Sequence, residues 1–388
     1  MRILGIETSC DEAAVSLIEA TADFGADFSY KIRGTGLMSQ AALHAEYGGV
    51  FPNLAKREHI NNLVPVLTIA LKEAGELHER GGPSSIPLDA LKEILAREAA
   101  LYDQLAAFLQ KYKKPDLDAI AVTYGPGLEP ALWVGINFAK ALAKAWDVPI
   151  VAVDHMEGHV VLPMMDEQGF KQFEFPVLAL LISGGHTELI LSHAWRKYER
   201  IGETRDDAVG EAFDKVARLL GLPYPGGPQI ARLAYEARER SITPDFSFTR
   251  PMRNSGDYDF SFSGLKTAVR KLVEERSPLS EEMRLAIARE FEETVADVLV
   301  EKTIAAAEAH GADTVVVGGG VSANAYIRER LALRMMNASA GTRLLSPVPE
   351  LATDNAIMIA LAGYFSALQD DFADPTTLAA VGNLRLEK

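Results

Sequence analysis

Two histidines, His155 and His159, lie four residues apart in a segment that predicts a helix. Side chains with this spacing project from the same helix face, so both imidazoles can reach one ion at about 2.0–2.1 Å. The spacing predicts half of a metal site, and the alternative is a pair of partly buried histidines that cap and pack the helix. Zinc proteases share the spacing but carry a catalytic Glu directly after the first His. Here Met156 holds that place and Glu157 is turned about 200° from His155, which argues against peptide hydrolysis.

A third, acidic ligand would favour a metal ion over simple packing. Asp354 stands where the last long predicted helix begins. An Asp at such a position often serves only as the N-cap of its helix. It is also the candidate for the missing ligand.

Glycine-rich turns follow three predicted buried strands, at residues 124–128 (YGPGL), 183–187 (SGGHT) and 318–324 (GGGVSAN). Glycine lets backbone N–H groups approach a phosphate, and the start of a helix favours an anion. For the second turn, to which Ser183 adds a hydroxyl, a Gly-Gly hairpin is the alternative. The third turn is the strongest nucleotide signal, because Asn324 can hydrogen-bond a base or ribose there, although the spacing is not that of a dinucleotide fingerprint.

Two further features fit a nucleotide site. Asp214 lies about two turns into a predicted helix and could bind a ribose or a substrate hydroxyl. The alternative is a surface ion pair with Arg218, four residues along the same face. Gly226 and Gly227 open another predicted helix, where bare backbone could face a ligand.

The elements that must position these groups form a repeated pattern. Residues 2–7 and 13–18 predict two strands, and the turn between them carries Asp11 and Glu12. Actin-like ATPases and sugar kinases present their first phosphate loop on such a hairpin, and a solvated hairpin is the alternative. The same order of elements, strands followed by a glycine turn and a helix, then occurs a second time in the chain. We therefore predict an α/β protein with the two-lobed actin-like ATPase fold and a nucleotide and metal cleft between the lobes.

The predicted N-terminal lobe covers residues 1–153 and is completed by 355–388, and the C-terminal lobe covers 154–354. Within the first lobe, residues 77–115 change in character and predict a helical excursion. It contains a linker and one charged amphipathic helix at about 88–109. A solvated or partner-facing role suits this excursion better than a catalytic one.

Composition limits the possible functions. The chain has 388 residues, 48% hydrophobic and 24% charged, with one cysteine, Cys10, and no apolar run of about eighteen residues. It predicts a globular, cytoplasmic protein of two to three domain-sized units without an intrachain disulfide, membrane span or signal peptide. The formal charge of −15 argues against a generic nucleic-acid binder. A nucleic-acid substrate would have to meet a local basic patch, for which the strongest candidate is Arg250, Arg253, Lys266, Arg270 and Lys271.

Ten motifs in order resemble the universal family of tRNA threonylcarbamoyladenosine synthases, TsaD, once called O-sialoglycoprotein endopeptidases. They cover the chain to about residue 364 and comprise ETSCDE from Glu7, HAEYGG from His44, GPGL from Gly125, HMEGH from His155, SGGH from Ser183, GEAFDK from Gly210, YPGGP from Tyr224, DFSFSGLK from Asp259, GGVSAN from Gly319 and TDN from Thr353.

The resemblance implies transfer of the threonylcarbamoyl group from threonylcarbamoyl-AMP to the exocyclic amine of adenosine 37 in tRNAs that read codons beginning with A. It implies that His155, His159 and Asp354 hold one divalent metal, iron(II) or alternatively zinc. The residues implied to bind the adenylate are Leu181, Ile182, Ser183, Gly184, Gly185, Asp214, Gly227 and Asn324. For the proton of the amine, Asp11 or Glu12 is our candidate acceptor.

The resemblance also implies protein partners besides tRNA. One is a small inactive TsaB-like paralogue that forms a heterodimer with this chain. The other is a TsaE-like ATPase that resets the cycle.

Two other classes of protein compete with this interpretation. An O-carbamoyltransferase of the same fold would share the two-histidine metal site, but we would expect a further domain that makes its adenylate; a small-molecule kinase should need no histidine pair. A non-catalytic actin-like scaffold needs the nucleotide loops but not the convergence of His155, His159 and Asp354. Replacing His155 with Ala separates the scaffold from the enzyme, because a scaffold keeps its partner binding.

Overall fold

The computed structural model describes residues 1–25, 27–82, 86–167, 169–338 and 341–387. It divides into two compact units. The first unit comprises Met1–Leu43, Val50–Lys171 and Asp354–Arg385. The second unit comprises Gln172–Thr353, with short pieces at His44–Gly49 and from Leu386 onward.

The first unit is built on a mixed five-stranded sheet. Its strands are β1 (Arg2–Glu7), β2 (Glu12–Thr21), β3 (Ser29–Ser39), β4 (Ala119–Gly125) and β5 (Ile150–Asp154). The order is β3-β2-β1-β4-β5; β2 runs antiparallel to both its neighbours, and β1, β4 and β5 are parallel. The central strands β1 and β4 are nearly continuous apolar runs, as expected for strands that are covered on both faces.

Helices pack on both faces of this sheet. Those before Lys171 are α1 (Ala41–Ala45), α2 (Pro52–Glu73), α3 (Leu88–Ile94), α4 (Ala99–Lys111), α5 (Glu129–Trp146) and α6 (His155–Val161), the last followed by a 3-10 turn at Leu162–Met164. Leu4 and Ile6 of β1 belong to one hydrophobic core with α2 and α5. The intervening Gly5 points to the opposite face.

The second unit repeats this plan. Its strands are β6 (Val177–Ile182), β7 (Thr187–Ala194), β8 (Lys197–Glu203), β9 (Thr314–Gly318) and β10 (Arg343–Leu345). Its helices are α7 (Val209–Leu219), α8 (Gly226–Glu239), α9 (Ser263–Arg276), α10 (Glu281–His310) and α11 (Ala325–Ala338), with 3-10 turns at Gly320–Ala323 and Pro349–Leu351. The chain then returns to the first unit through α12 (Ala356–Ala367).

Helix α12 lies directly on β1, on the face opposite to α2. A side chain at Gly5 would place its Cβ 2.3 Å from the backbone oxygen of Ala356, and one at Gly363 would place it 2.3 Å from the Cβ of Ala121. Only glycine permits this approach at both positions. Because α12 begins two residues after Asp354, the close contact fixes where that carboxylate lies.

The two sheets have the same topology. In the second sheet β6 is central. On one side β7 pairs antiparallel with β6 and β8 antiparallel with β7, and on the other side β9 and β10 lie parallel to β6. This corresponds strand for strand to β1, β2, β3, β4 and β5. The duplicated arrangement confirms the predicted actin-like ATPase fold. The predicted cleft between the lobes stays a prediction.

The predicted lobe boundaries differ from the two compact units. The prediction began the C-terminal lobe at residue 154, whereas residues 154–171 and Asp354 belong to the first unit. The reason is helix α6, whose residues are all buried and which packs against α12, with Gly158 against Met358. A polar motif at a strand end does not reveal such packing.

The excursion at 77–115 also differs from the prediction. Residues 83–85 of its predicted linker lie outside the described residues. Two helices, α3 and α4, replace the single predicted helix, with a break at residues 95–98. Leu91 of α3 and Leu105 of α4 are fully buried in the core that includes α2 and α5. The excursion therefore extends the core of the first unit as well as presenting a charged face.

In the part of the chain that the structure describes, we find no helix with the length and apolar character needed to cross a membrane.

Candidate metal centre and nucleotide loops

The candidate metal centre lies at the carboxyl ends of three neighbouring parallel strands. Glu7 ends β1, Thr123 lies near the end of β4, and Asp154 ends β5. Asp154 then caps helix α6 by accepting a 2.8 Å hydrogen bond from the backbone N–H of Met156. This cap starts the helix at His155 and aims the first histidine at the strand ends.

His155, His159 and Asp354 converge on one point. The Nε2 atoms of the two histidines are 3.2 Å apart, and Asp354 Oδ1 lies 3.4 Å from Nε2 of His155 and 3.0 Å from Nε2 of His159. Both histidines are buried, and the Asp354 side chain is 18% exposed. The predicted helical spacing thus brings both rings to one side, and the start of α12 supplies the carboxylate.

These three donors fit a metal ion. Ligands about 2.1 Å from an ion lie about 3.4 Å apart around a tetrahedral site and about 3.0 Å apart around an octahedral one. The observed separations of 3.0–3.4 Å fall in that interval. Two imidazoles and one carboxylate are also a donor set suited to zinc or iron(II).

The charges around His155 are also consistent with the binding of a metal ion. Burial by itself would lower the pKa of His155, but the negative charges of Glu7 and Asp354 raise it well above its ordinary value. Burial would likewise raise the pKa of Asp354, whereas His155 and His159 hold it well below its ordinary value. The pocket therefore stabilises positive charge between two acidic groups, which is the electrostatic requirement of a cation site.

Asp11 and Glu12, the candidate proton acceptors, lie in the turn between β1 and β2 and at the start of β2. Burial, together with the charges of Asp11 and Asp354, raises the pKa of Glu12 to about 9. A carboxyl group with this pKa carries a proton at neutral pH and cannot accept another. Of the two, Asp11 is thus the better candidate base.

The turn that carries Asp11 is braced by His59, a residue that no sequence pattern singles out. His59 of α2 is fully buried, and its Nε2 lies 3.0 Å from the backbone oxygen of Cys10. An imidazole N–H donated to this carbonyl fixes the turn relative to α2. A single histidine in an amphipathic helix carries no distinctive spacing, so no sequence signal pointed to it.

In the first glycine turn, at 124–128, where we predicted an anion site, two backbone N–H groups are already hydrogen-bonded within the protein. The N–H of Gly127 donates to Gly382 O at 3.0 Å, and the N–H of Leu128 donates to Ser9 O at 2.7 Å. The N–H groups of Gly127 and Leu128 are therefore both used internally. The glycines instead permit close packing, because a Cβ on Gly125 would lie 2.1 Å from Val381 O and one on Gly127 would lie 2.6 Å from Ser9 O.

The second glycine turn, which follows β6, stands open. Ser183 Oγ accepts hydrogen bonds from the N–H groups of His186, at 3.0 Å, and Gly185, at 3.3 Å, while Gly184 and Gly185 are exposed with free space beside them. Leu181 and Ile182, in the strand before it, are fully buried. Backbone at the exposed glycines can therefore approach a ligand, as predicted for a phosphate turn.

Asp214 of α7 links this region to α8. Its Oδ1 accepts a 2.7 Å hydrogen bond from the N–H of Gly226, the first residue of α8. Gly226 must lack a side chain, since a Cβ there would lie 2.5 Å from the Cβ of Ala217, whereas Gly227 has open space beside it. Asp214 thus holds the half-buried Gly227 in place.

The third glycine turn follows β9, the parallel neighbour of β6. Gly319 has φ of +86°, and a Cβ on it would lie 2.5 Å from Ile182 O, so the turns after β6 and β9 pack together through a glycine. Asn324 ends the 3-10 segment, and its Oδ1 accepts a 3.0 Å hydrogen bond from the N–H of Ile327 in α11. The second unit thus brings the turns of Ser183 and Gly319 together at one edge of its sheet.

The basic neighbourhood at 250–271 is largely neutralised by internal ion pairs. Arg250 binds Glu290 at 2.8 Å and Asp297 at 3.0 Å, and so braces the preceding loop against α10. Arg253 contacts Glu301, while Arg270 and Lys271 face acidic partners one turn along α9. Lys266 makes no ion pair with the residues that the structure describes.

Together, the duplicated fold, the buried His–His–Asp group and the open glycine turns define an actin-like ATPase-fold protein with a candidate metal centre and nucleotide loops. Two sequence comparisons identify its family. The family described as "TsaD: tRNA N6-adenosine threonylcarbamoyltransferase" matches residues 31–79 and 86–361. A tRNA N6-adenosine threonylcarbamoyltransferase of Chromobacterium violaceum is 42% identical over 382 residues, which cover 97% of this chain and 95% of that protein. The chain belongs to the TsaD family and is a transferase that modifies tRNA.

Solved structures give more distant similarities. A full-length HypF in a phosphate- and nucleotide-bound form has a TM-score of 0.47 and 15% identity, covering 70% of this chain and 50% of that one. Component A of (R)-2-hydroxyglutaryl-CoA dehydratase from Acidaminococcus fermentans has a TM-score of 0.48 and 13% identity, and the similarity covers 95% of this chain and 98% of that one.

Proposed function

We propose that this chain transfers the threonylcarbamoyl group from threonylcarbamoyl-AMP to the exocyclic amine of adenosine 37 in tRNAs that read codons beginning with A. Membership of the TsaD family supports the class of reaction. The observation that carries the site assignment is the convergence of His155, His159 and Asp354, whose donor atoms all lie within 4.8 Å of one another.

The cofactor in this proposal is one divalent metal ion per chain, iron(II) or alternatively zinc. His155, His159 and Asp354 would hold it, in keeping with the preference of both ions for imidazole and carboxylate donors. When bound, such an ion supplies Lewis acidity toward a carbonyl or phosphoryl oxygen.

The adenylate is assigned to the second unit. Backbone groups of Gly184 and Gly185 would contact phosphate, while Asp214 and Asn324 would contact the ribose or base. The exposure of the two glycines and the anchoring of Asp214 to the first turn of α8 support this assignment. Groups held in this way orient the leaving AMP before reaction, and such preorientation is a large source of rate enhancement.

The chemical step requires a base. The adenine N6 forms a bond to the carbamoyl carbon, the bond from that carbon to the phosphate oxygen breaks, AMP leaves, and N6 loses one proton. We assign this proton to Asp11. The high pKa of Glu12 leaves that residue as a hydrogen-bond donor.

We also propose the partners and compartment that membership of the family suggests. A TsaB-like inactive paralogue would form a heterodimer with this chain, a TsaE-like ATPase would reset it, and the reaction would take place in the cytoplasm. The formal charge of −15 and the internal pairing of the 250–271 cations are consistent with tRNA being held partly by a partner.

A transfer assay tests the proposal. Wild type and His159→Ala would be incubated with synthetic threonylcarbamoyl-AMP and unmodified tRNA, with and without the paralogue, followed by mass spectrometry of the nucleosides. His193→Ala, at an exposed histidine of β7, is the matched control. We expect modified adenosine with wild type and the control but not with His159→Ala. Absence of product from wild type with paralogue and metal present, while adenylate still binds, would favour a scaffold.

A further inference from the structure

Glu7 is a fully buried carboxylate that the proposed reaction does not use. It is the last residue of β1, and its side chain is 0% exposed. A buried charge of this kind is costly unless it is paired and hydrogen-bonded. Its partners therefore indicate what it does.

Three groups surround the Glu7 carboxylate. Oε2 lies 3.1 Å from Nδ1 of His155 and accepts a 2.6 Å hydrogen bond from the hydroxyl of Thr123. Oε1 accepts a hydrogen bond from the backbone N–H of Ser9. The contacts come from β4, from the start of α6 and from the turn after β1, so they hold the carboxylate in one orientation.

The contact with His155 determines the state of that ring. A carboxylate can only accept a hydrogen bond, so Nδ1 of His155 must carry the proton that it donates. The other ring nitrogen, Nε2, is the atom that faces His159 and Asp354. A hydrogen bond to one ring nitrogen thus selects the opposite one as the ligand.

We infer that Glu7 is a positioning residue for the candidate metal centre: it keeps the proton of His155 on Nδ1 and orients the ring so that Nε2 is the ligand atom. Thr123 supports this function indirectly by fixing Glu7. Ser9 is a secondary contact, because its hydroxyl lies 3.3 Å from the same Nδ1. The inference rests on the proposed metal site. It adds to that site the residues at the ends of β1 and β4 that hold His155.

The test is a Glu7→Gln variant, which keeps the size of the side chain but removes its charge. The affinity of purified, metal-free full-length protein for Zn²⁺ would be measured by competition with a chromophoric chelator. Replacement of a residue that orients a metal ligand typically weakens metal affinity by about 10–100-fold. We expect a loss of that size for Glu7→Gln.

Glu98→Gln provides the matched control. Glu98 is another buried carboxylate of the first unit, 1% exposed, and it contacts Asn137 and Lys56. We expect its replacement to leave Zn²⁺ affinity unchanged. Thermal unfolding of the metal-free proteins separates a general loss of stability from a specific effect on the metal.

A second measurement reports on the ring directly. In Zn²⁺-loaded protein with ¹⁵N-labelled histidine, we expect a protected Nδ1–H signal from His155 in wild type that shifts or disappears in Glu7→Gln. If Glu7→Gln does not fold, Thr123→Val is used instead. It keeps the Glu7 carboxylate but removes the hydrogen bond from the Thr123 hydroxyl, and a smaller loss of Zn²⁺ affinity is expected.

The outcomes distinguish this inference from the proposed function. If wild type binds Zn²⁺ and Glu7→Gln binds it equally well, or if the His155 signal is unchanged, the positioning role is wrong while the metal site stands. If the fallback variant is the one measured, unchanged affinity in Thr123→Val overturns the role in the same way. If wild type itself does not bind Zn²⁺ or Fe²⁺, both the metal site and the inference fall.

Discussion

Asn324 donates its side-chain amide to the buried carboxylate of Glu292 across a distance of 2.7 Å. Glu292 lies in α10, is 1% exposed, and also accepts a 2.6 Å hydrogen bond from Arg238 of α8. Arg238 in turn stacks on the ring of Tyr326, 3.6 Å from its centroid. Asn324, one of the residues that we assign to the adenylate, is therefore held by a charged pair from two other helices.

The first prediction concerns this pair. Glu292→Ala removes the carboxylate that Arg238 and Asn324 share. Arg238 is 22% exposed and keeps Glu293 at 3.5 Å, so the cost is that of hydrogen-bond donors left without their acceptor, about 1–3 kcal/mol of stability. Because Asn324 loses its orientation, we expect the KM for threonylcarbamoyl-AMP to rise by about tenfold, the size of a lost charged hydrogen bond, with a smaller change in kcat. Urea unfolding and steady-state kinetics measure the two effects.

Glu282→Ala is the control, because Glu282 is an exposed carboxylate in the first turn of the same helix. Its free energy of unfolding should change by less than about 0.5 kcal/mol and its kinetics should not change. Loss of stability in Glu292→Ala with an unaltered KM would mean that Asn324 does not depend on Glu292 for substrate binding.

The second prediction concerns removal of the metal. Treatment with a chelator should abolish transfer, and Fe²⁺ or Zn²⁺ should restore it. Metal at about 100 times its dissociation constant should stabilise wild type by about 2.7 kcal/mol, seen as a rise in Tm. Asp354→Asn, which removes the charged ligand, should show almost no rise at the same concentration. An equal rise in both proteins would place the ion elsewhere.

Local patterns were sufficient to predict much of the fold and part of the site. The spacing of His155 and His159 predicts their common face, and apolar runs followed by glycine turns predict the strands that carry the candidate nucleotide loops. Asp354 could be proposed as the third ligand only as an acidic residue at a helix start. Its convergence with the histidines depends on the packing of α12 against β1 through Gly5, which no local pattern contains.

Other features depend on contacts between distant parts of the chain. The turn at 124–128 has the composition of an anion loop, but the C-terminal segment occupies its Gly127 N–H through Gly382. Glu7 appears in the sequence as an ordinary acidic residue at a strand end. Its role emerges only when β4 and β5 bring Thr123 and His155 beside it.

The third prediction is a pH dependence of stability. Burial would raise the pKa of Asp206, but hydrogen bonds from the hydroxyls of Ser261 and Ser263 and from backbone N–H groups at the start of α9 lower it. Since the pKa is lower in the folded state, this carboxylate stabilises the protein above its unfolded pKa of about 3.9. That contribution is lost as the pH falls through the folded pKa.

Because Asp206 is exposed and its charge is screened by solvent, Asp206→Asn should be less stable than wild type by only about 0.5 kcal/mol at pH 7, and the difference should shrink below about pH 4. Urea unfolding across that range measures it. Asp89→Asn, at an exposed aspartate of α3, should track wild type at every pH. A difference that stays constant down to pH 3 would show that the charge of Asp206 is not what matters.

The fourth prediction tests the contact that places Asp354. Gly5→Ala puts a Cβ 2.3 Å from Ala356 O, so α12 must move away from β1. Overpacking of this kind costs about 1–3 kcal/mol or more. Because α12 begins just after Asp354, we also expect weaker Zn²⁺ binding, although Gly5 touches none of the three ligands. Gly81→Ala, where a Cβ meets open space, is the control and should change neither property. Loss of stability in Gly5→Ala with full metal affinity would mean that the segment before α12 holds Asp354 independently of the helix.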